Sequence, residues 1–588
     1  MHAQNLCLDA LFGCPFLCLP DKERGERKRT ARQNPSTRPC VSRETPPRLR
    51  RFSLDSAAAE TGSSPSPPVA RGAPPPVRVL EMFRRNLVIG LCLLLPIAVY
   101  AQSLGNGFVT WDDRLLIVDN PIVHGLSWSN IRAAFTSYDP ELYIPLTLLS
   151  YQVNYMIGGL EPFGYHLGNL MLHVGNGVLV FLLLRRLICS GRSRSSATDQ
   201  SHHCDWWAVS FSLLFAIHPL HTEAVVWAAA RKDVLSTFFF LWTVLFYLQS
   251  RGDQKMRKKY WWSVVAFSLA LLSKVSVITW PLMLPLMDWY RGEKMDRKML
   301  QRALPYFGLS IIFGIIALGG KIANTGFLYE KILIGCRAVT LLLQKFFLPV
   351  HLSALYPFTK PISITTPELL LSVLFVLFVF LVVVWLAWKK DMRLPLFAWM
   401  WFFLFLAPSF SNVLKGHNEL LDIYVTSDRY AYLPSVGLLL VTSLLGARWM
   451  KPFPKSTVVV ISIVITVFSM LSYRQSLVWK NTLALFTHVS EVQPNAYVAW
   501  TNIGTEYVHQ GRLNEGLASY GKALAIRDDA TTWYNVGQIL RAQGKIPLAI
   551  QAYQRAVESS PLEVDAKRAL EELKIPLTQP SPPAGGEG

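Results

Sequence analysis

The chain has 588 residues and a formal net charge of +19, with 58 Lys and Arg residues against 39 Asp and Glu. Only 16% of the residues are charged and 51% are hydrophobic, whereas a soluble chain of this length is usually about a quarter charged. Apolar runs that can cross a ~30 Å hydrocarbon core recur along the chain, as at 371–388. This composition excludes soluble, secreted and collagen-like proteins. The basic surplus is typical of cytoplasmic loops rather than of nucleic-acid binding.

The two ends of the chain differ from its middle. Residues 1–81 are rich in Pro and Arg and have no helical or strand periodicity, which predicts disorder. At Met82 a basic start is followed by an apolar span, so we interpret Met82 as the natural first residue and 1–81 as a non-native extension. The tail 576–588 is of low complexity and is also predicted to be disordered.

Residues 82–478 are predicted to form an all-α, multi-pass membrane domain. We expect about eleven spans, near 86–104, 166–187, 206–217, 234–249, 260–273, 276–290, 304–319, 369–388, 395–407, 436–447 and 457–473. Lys and Arg cluster in alternate loops, and the positive-inside rule places those loops and the N-terminus in the cytoplasm. The segment 332–349 is predicted to be a loop helix or re-entrant element, because counting it as a span would put two basic loops outside.

Residues 479–575 contain an internal repeat. Six residues recur 33 positions later, four of them in identical form: Trp500, Ile503, Gly504, Tyr507, Tyr520 and Ala523 become Trp533, Val536, Gly537, Leu540, Tyr553 and Ala556. This spacing, with small residues where paired helices touch, is the tetratricopeptide signature. It predicts repeats near 497–529 and 530–563, followed by a capping helix, all on the external side.

The first external loop carries two adjacent carboxylates, Asp112 and Asp113, just after the first span. A carboxylate at the membrane surface can act as general base toward a hydroxyl, or can hold a cation that faces a phosphate. The alternative is a helix cap and a solvated turn. Because neighbouring side chains point in different directions, we expect only one of the two to face a substrate.

A second group of ionisable residues lies at another external span end. His218 and His221 can donate hydrogen bonds to a phosphate, and Glu223 can orient one of them; Arg231 and Asp233 follow. The alternative is a polar helix start. A metal site is not predicted, because the two histidines lack a third ligand at a suitable spacing.

Two cations lie at the external ends of later spans. Lys274 falls between two apolar runs, and Arg429 stands beside Tyr430 at 427–433. A lone Lys or Arg is usually a membrane-surface anchor. Here the external loops contain few other cations, so both are candidate anion ligands, and the planar fork of Arg suits a phosphate.

Four segments together resemble the transmembrane and tetratricopeptide-repeat O-mannosyltransferase family, whose relatives include bacterial proteins of the GT-C glycosyltransferase class. They are GFVTWDDRLLIVDNP (107–121), HPLHTEAVVWAAARKDV (218–234), LLSKVSVIT (271–279) and SDRYAYLPSVG (427–437). The resemblance implies a GT-C-like membrane domain that transfers a sugar, mannose in the family, from a polyprenyl phosphate to an external hydroxyl with inversion.

The resemblance also implies roles for individual residues. The catalytic base would be Asp112 or Asp113, and the donor phosphate would be held by Lys274, Arg429 and His221. Supporting roles fall to His218, Glu223, Arg231, Asp233 and Tyr430.

The expected partners are the lipid-linked sugar, membrane lipid, and a protein or glycan acceptor that docks on the repeats, but no nucleic acid. No cofactor is assigned, and a divalent cation is left open. The expected location is the plasma (inner) membrane, with the repeats in the periplasm.

Two other functions fit parts of this pattern. One is a membrane-anchored repeat scaffold without catalysis, and the other is a transporter of lipid-linked glycans. A transporter would place ionisable residues at mid-bilayer, whereas here they gather at one face. The enzyme differs from the scaffold in requiring Asp112, Asp113, Lys274 and Arg429 to converge around one cavity.

Overall fold

The computed structural model describes most of the chain beyond residue 89. The described residues are 90–91, 93–139, 142–189, 197–251, 257–293, 296–320, 327–390, 392–412, 423–449, 455–560 and 563–574, all within the compact unit Pro74–Gly588. The predictions made for 1–81 and for 576–588 lie outside these residues.

The structure is all-α, as the sequence predicts. The helices up to the middle of the chain are α1 (Leu93–Gly105), α2 (Trp128–Thr136), α3 (Pro145–Gly158), α4 (Pro162–Cys189), α5 (Ala197–Ala216), α6 (Thr222–Val226), α7 (Arg231–Ser250), α8 (Arg257–Ser273), α9 (Trp280–Tyr290) and α10 (Arg297–Gly319). The later helices of the membrane domain are α11 (Leu328–Phe347), α12 (Pro367–Lys389), α13 (Arg393–Leu406), α14 (Ser435–Trp449) and α15 (Lys455–Val478). Among the described residues, extended pairing is limited to one antiparallel bridge between Pro357 and Tyr424.

Six helices are long and apolar enough to cross a membrane, namely Pro162–Ile188, Ala228–Ser250, Arg297–Gly319, Pro367–Lys389, Arg393–Phe410 and Ser456–Val478. The pair Asp205–Ala216 and Pro219–Val226, bent by 49°, would make a seventh. Each predicted span coincides with a helix, but several of these helices are short, as are Leu93–Gly105 and Ser435–Ala447. The predicted count of about eleven spans is therefore not confirmed.

The spanning helices differ in how much of their surface the protein covers. About two thirds of the apolar windows of α4 and α7 are buried, and these two helices pack against each other. The windows of α10, α12 and α15 are mostly exposed, and their exposed side chains are apolar. An apolar exposed face needs lipid around it, so α4 and α7 form the interior of the domain and α10, α12 and α15 its lipid-facing side.

The segment 332–349 falls mainly in α11, which is not among the six candidate spans. Charged residues recur along this helix: Glu330, Lys331, Arg337 and Lys345. Its exposed apolar residues, which include Leu328, Ile332 and Phe347, recur at helical spacing on one side. α11 is therefore amphipathic, in keeping with the prediction of a helix that does not span.

The C-terminal helices form the repeat array that the spacing predicts. They are α16 (Thr482–Val492), α17 (Tyr497–His509), α18 (Leu513–Ile526), α19 (Ala530–Ala542), α20 (Ile546–Ser559) and α21 (Val564–Lys574). A Cβ atom on Gly504 would lie 2.7 Å from Tyr520, and one on Gly537 would lie 2.5 Å from Tyr553. The glycines recur because each lets a tyrosine of the paired helix approach its backbone.

Candidate active site

Asp113 ties the first loop to the start of α7. One carboxylate oxygen accepts a hydrogen bond from Val109 N at 2.8 Å, and the other accepts one from Ala229 N at 2.7 Å. The side chain is completely buried. Burial raises the pKa of Asp113 to about 7, although both backbone hydrogen bonds favour the charged form. Asp113 thus holds two distant parts of the backbone together and does not face solvent.

Asp112 points elsewhere. Its side chain is 32% exposed and accepts a hydrogen bond from Lys232 Nζ at 3.2 Å. The preceding residue, Trp111, stacks on Trp227 with ring centroids 5.0 Å apart. The two carboxylates therefore point in different directions, one bonded to backbone and the other accessible beside a cation.

Lys274 enters the site from the turn after α8. Its ammonium forms an ion pair with Asp233, in the first turn of α7, and lies 5.4 Å from the centroid of the Tyr430 ring. The second carboxylate oxygen of Asp233 is buried and has no hydrogen-bond partner among the described residues. Lys274 therefore reaches the same end of α7 as Asp112.

Arg429 completes the group. Its guanidinium pairs with Glu223, and its backbone N donates to the same carboxylate at 3.0 Å. The guanidinium also lies 5.0 Å from the Trp227 ring centroid and 4.8 Å from that of Tyr430. Burial opposes its charge, but Tyr430 and three carboxylates raise its pKa above the ordinary value; the three are Glu223, Asp233 and Asp112.

These residues form what we call the cavity cluster, a set of three ion pairs joined by two aromatic rings. The pairs are Asp112–Lys232, Asp233–Lys274 and Glu223–Arg429, and the rings are Trp227 and Tyr430. In each pair the side chain from α6 or α7 is almost completely buried. α6 and the first turn of α7 thus supply three of the six charges, Glu223, Lys232 and Asp233.

A cavity of about 380 Å³ opens beside the cavity cluster. Asp233, Lys274, Arg429 and Tyr430 form its polar end. The rest of its wall is largely apolar and includes Leu142, Ile144, Val275, Ile278, Ala317, Leu318, Phe405 and Leu433. Leu318 of α10 is 71% exposed, so the cavity reaches the lipid-facing side of the domain. A ligand with an anionic head group and a long apolar tail would match this cavity, with the head at the polar end and the tail along the apolar wall.

Six of the ten residues selected from the sequence do not line the cavity, namely Asp112, Asp113, His218, His221, Glu223 and Arg231. Both ring nitrogens of His221 have protein partners, Phe215 O at 2.8 Å and Ser435 Oγ at 2.9 Å, and the ring is completely buried. His218 is likewise bonded to Phe346 O and Leu220 N. The interpretation of His221 as a phosphate ligand is therefore not supported, because its hydrogen-bonding capacity is already used.

Arg231 is also structural. Its guanidinium donates to Asn169 Oδ1 at 2.8 Å and to Tyr165 O at 2.5 Å, and it lies over the Tyr151 ring. It is completely enclosed between α3, α4 and the start of α7. Its supporting role is to lock the start of α7 in place.

Two residues of the site were not selected from the sequence. They are Lys232, which stands between Arg231 and Asp233, and Trp227, which lies in the segment 218–234. Trp227 stacks on both Trp111 and Trp479 and lies under two cations. A usable signal was present, because a buried Trp beside several charges is a common cation–π platform.

The structure contains no group of three or more His, Cys, Asp or Glu side chains arranged to hold a metal ion, within the residues it describes.

Comparison with known proteins supports the repeats and the membrane domain separately. The tetratricopeptide repeat family matches residues 497–529 and 530–561, which confirms the two predicted repeats. The chain resembles the protein O-mannosyl-transferases. It is 24% identical to Protein O-mannosyl-transferase TMTC3 of Homo sapiens over 559 residues, or 82% of this chain and 56% of the human protein.

Two further relatives carry the same description. Protein O-mannosyl-transferase F38B6.6 of Caenorhabditis elegans is 26% identical over 75% of this chain and 63% of its own length. Protein O-mannosyl-transferase Tmtc3 of Drosophila melanogaster is 36% identical over 30% of this chain and 21% of its own length. The resemblance predicted from the motifs is confirmed. The chain spans less than two thirds of the length of each of these relatives.

Proposed function

We propose that this protein is an integral membrane glycosyltransferase that moves a sugar from a polyprenyl phosphate to a hydroxyl group of an external acceptor. The observation that carries the proposal is the cavity, in which two cations, Lys274 and Arg429, face an apolar pocket that opens toward lipid. Its relatives are named protein O-mannosyl-transferases, so mannose is the proposed sugar and a protein hydroxyl the proposed acceptor.

In the proposed reaction the acceptor oxygen attacks the anomeric carbon while the bond from that carbon to the phosphate oxygen breaks. The hydroxyl proton passes to a carboxylate, and polyprenyl phosphate leaves with one more negative charge than the donor carried. Attack from the side opposite the phosphate inverts the anomeric centre. The protein therefore needs a base on one side of the sugar and cations on the other.

Asp112 is the proposed base. It is the accessible member of the aspartate pair, and its charge is close enough to Arg429 to raise the pKa of that guanidinium. Its partner Lys232 keeps the carboxylate in place. Asp113 is a positioning residue, because both of its oxygens already accept backbone hydrogen bonds.

Lys274 and Arg429 are the proposed ligands of the donor phosphate. Both line the cavity, and charge-assisted hydrogen bonds from such groups to a phosphate are strong. Their carboxylate partners, Asp233 and Glu223, hold them at fixed positions before the donor arrives. This prepared arrangement suits a phosphate whose negative charge increases during the reaction.

The apolar wall supports a lipid-linked rather than a nucleotide-linked donor. A polyprenyl tail can leave the cavity past Leu318 and lie along the exposed apolar surface of α10, which includes Ile311 and Ile315. The positive-inside rule, applied to the loop charges, favours an external position for this end of the domain and for the repeats. The acceptor therefore approaches from the external, proposed periplasmic side of an inner membrane.

Replacing Asp112 by Asn tests the proposal. With detergent-solubilised protein, polyprenyl-phosphate mannose and a serine-containing peptide, we expect Asp112→Asn to lower the rate of transfer by about 10²–10⁴-fold. Asp119→Asn is the matched control, because Asp119 belongs to the same loop, is exposed and pairs only with Arg114 in the structure. That control should keep the wild-type rate.

Binding of the donor separates loss of the base from loss of the fold. Asp112→Asn should still bind polyprenyl-phosphate mannose with wild-type affinity and unfold at the wild-type temperature. If Asp112→Asn transfers mannose as fast as the wild type, the enzymatic proposal fails and the repeat scaffold becomes the better interpretation.

A further inference from the structure

A second cavity, of about 290 Å³, lies between α11 and the repeat array. One wall is a face of α11 that carries Arg337, Leu341, Gln344 and Lys345, spaced as neighbours on a helix. The opposite walls come from 356–360, Glu368, Val425 and Gln493, the last at the turn between α16 and α17. The membrane domain and the first repeat helices thus share this cavity.

The charges around the second cavity are mainly positive. Arg337 makes no ion pair or side-chain hydrogen bond with any residue that the structure describes. Lys345 donates to Val350 O and His351 O, which leaves its charge without a carboxylate bonded to it. Lys360 pairs with Glu368, which is the one acidic residue among those that line the cavity. A ligand with negative charge complements this lining.

The position of the cavity favours a polypeptide ligand over a lipid. The exposed apolar residues of α11, Leu328, Ile332 and Phe347, lie on a different side of the helix from Arg337 and Gln344. The lining is also rich in groups that bind peptides, since it includes two aromatic residues, Tyr356 and Phe358, and two glutamines. The cavity therefore faces the repeats rather than the lipid-facing side of α11.

The linings of the two cavities are connected through one hydrogen-bonded pair of side chains. Tyr356, which lines the second cavity, donates a hydrogen bond to Asp428 at 2.8 Å, and the next residue, Arg429, lines the first cavity. Val425, three residues before Asp428, also lines the second cavity. An extended chain advances about 3.3 Å per residue, so a bound polypeptide can reach both cavities within a few residues.

We propose that the second cavity binds an acidic segment of the acceptor polypeptide, a few residues away from the hydroxyl that receives the sugar. If the protein is the proposed glycosyltransferase, on which this inference rests, the second cavity would select acceptors by their carboxylate side chains. Arg337 is the principal ligand because it lines the cavity and its guanidinium can hold a carboxylate through two hydrogen bonds. Lys360 contributes charge at the rim.

Direct binding tests the proposal without requiring any transfer. The probes are a fluorescein-labelled peptide with one serine and a run of aspartates, and the same peptide with asparagines. The full chain is placed in nanodiscs of neutral phosphatidylcholine, and fluorescence anisotropy is measured. We expect the aspartate peptide to bind more tightly, and Arg337→Glu to weaken its binding about tenfold or more. Lys331→Glu, the same charge change on α11 outside the cavity, should have no effect.

Charge reversal gives a readout that misfolding cannot imitate. Arg337→Glu should bind a lysine version of the peptide more tightly than the wild type does. In transfer assays, Arg337→Glu should raise KM for the aspartate peptide and leave kcat and the KM for the donor unchanged. Equal binding of the aspartate and asparagine peptides to the wild type, or equal losses in Arg337→Glu and Lys331→Glu, would overturn the proposal.

Two further arms separate this inference from its alternatives. Asp112→Asn should bind the aspartate peptide as the wild type does. If no form of the protein transfers mannose but binding still depends on Arg337, the proposed function fails and the peptide site stands. If nanodiscs with added phosphatidylglycerol displace the peptide in an Arg337-dependent way, the cavity is a lipid headgroup site and the proposal is wrong.

Discussion

The two ends of α7 carry charged clusters of similar composition but different architecture. At its first turn lies the cavity cluster, in which each acid has its own base and two bases line an open cavity. Near its last turn, about 27 Å away along the helix, lies what we call the Asp288 cluster. There Tyr247, Arg251 and Arg302 all converge on one completely buried carboxylate, Asp288.

The difference shows that ion pairs alone do not mark a functional site. In the Asp288 cluster three side chains converge on a single carboxylate and join α7, α9 and α10, and none of these groups lines the cavity. In the cavity cluster Lys274 and Arg429 keep surface that faces the cavity, and one oxygen of Asp233 has no hydrogen-bond partner among the described residues. A binding site therefore differs from a purely structural cluster in having charged or hydrogen-bonding groups that face a cavity.

The largest expected effect is on stability at the Asp288 cluster. Asp288→Asn removes the charge on which two arginines converge, and breaking a buried ion pair in this way costs about 3–5 kcal/mol. We expect a large fall in unfolding temperature, measured by thermal denaturation in detergent. The affinity of the remaining folded protein for polyprenyl-phosphate mannose should equal that of the wild type. A loss of donor affinity would show that the two clusters are functionally alike.

The next effect is on donor binding at the cavity cluster. Lys274→Gln removes a charged hydrogen bond to the phosphate, which is worth about 1.5–3 kcal/mol, so donor affinity should fall about tenfold or more. Arg429→Lys, which keeps the charge beside Glu223 but removes the planar fork, should also weaken binding. Arg302→Gln serves as the control from the other cluster. Unchanged donor affinity in both cavity variants would remove these residues from the site.

A smaller effect concerns the pH dependence of stability at Asp113. Because burial raises its pKa from 3.8 to about 7, the native state holds this proton more tightly than the unfolded state does. The stability that Asp113 contributes is therefore full below pH 3.8 and is lost as the pH rises through about 7. The slope is at most about 1.4 kcal/mol per pH unit.

Thermal unfolding across this pH range tests that sign. The unfolding temperature of the wild type should fall with rising pH relative to that of Asp113→Asn, which does not titrate. Parallel curves for the two proteins would contradict the raised pKa. Asp113→Asn also loses one backbone acceptor, so only the difference in slope is informative.

The smallest effect is expected at an exposed pair between α4 and α5. Arg185 and Asp205 lie 2.6 Å apart, with side chains 49% and 32% exposed. Solvent screens such pairs, so Asp205→Asn should change the free energy of unfolding by about 0–1 kcal/mol. A loss as large as that of Asp288→Asn would show that burial does not set the difference between these pairs.

The sequence predicted the helices and the repeats well because both depend on local patterns. Each predicted span coincides with a helix, and Gly504 and Gly537 lie where the repeat requires close packing. The number of spans could not be predicted from such local patterns. Hydropathy finds apolar helices, but α9, with 11 residues, is too short to cross a bilayer unaided.

The site residues were predicted less well than the helices, and the contacts of individual residues show why. Of the four residues expected to converge around one cavity, Lys274 and Arg429 line it, together with Asp233 and Tyr430, whereas Asp112 and Asp113 do not. His221 does not line it either, because its ring nitrogens bond Phe215 O and Ser435 Oγ, the latter from a residue 214 positions away. A polar residue in an apolar segment looks the same in sequence whether it binds a ligand or a neighbouring helix.

By itself the sequence determined the class of protein, the helical elements, the tetratricopeptide array and the resemblance to the O-mannosyltransferases. These features depend on composition, on periodicity and on the order of motifs, all of which are visible without knowledge of the fold. Only the tertiary structure shows that Asp112 and Asp113 have different surroundings. Ala229 N, which reaches Asp113 from 116 residues away, turns that carboxylate inward and leaves Asp112 beside Lys232. Side-chain direction in a loop depends on which distant backbone groups need a partner, and no local pattern records those groups.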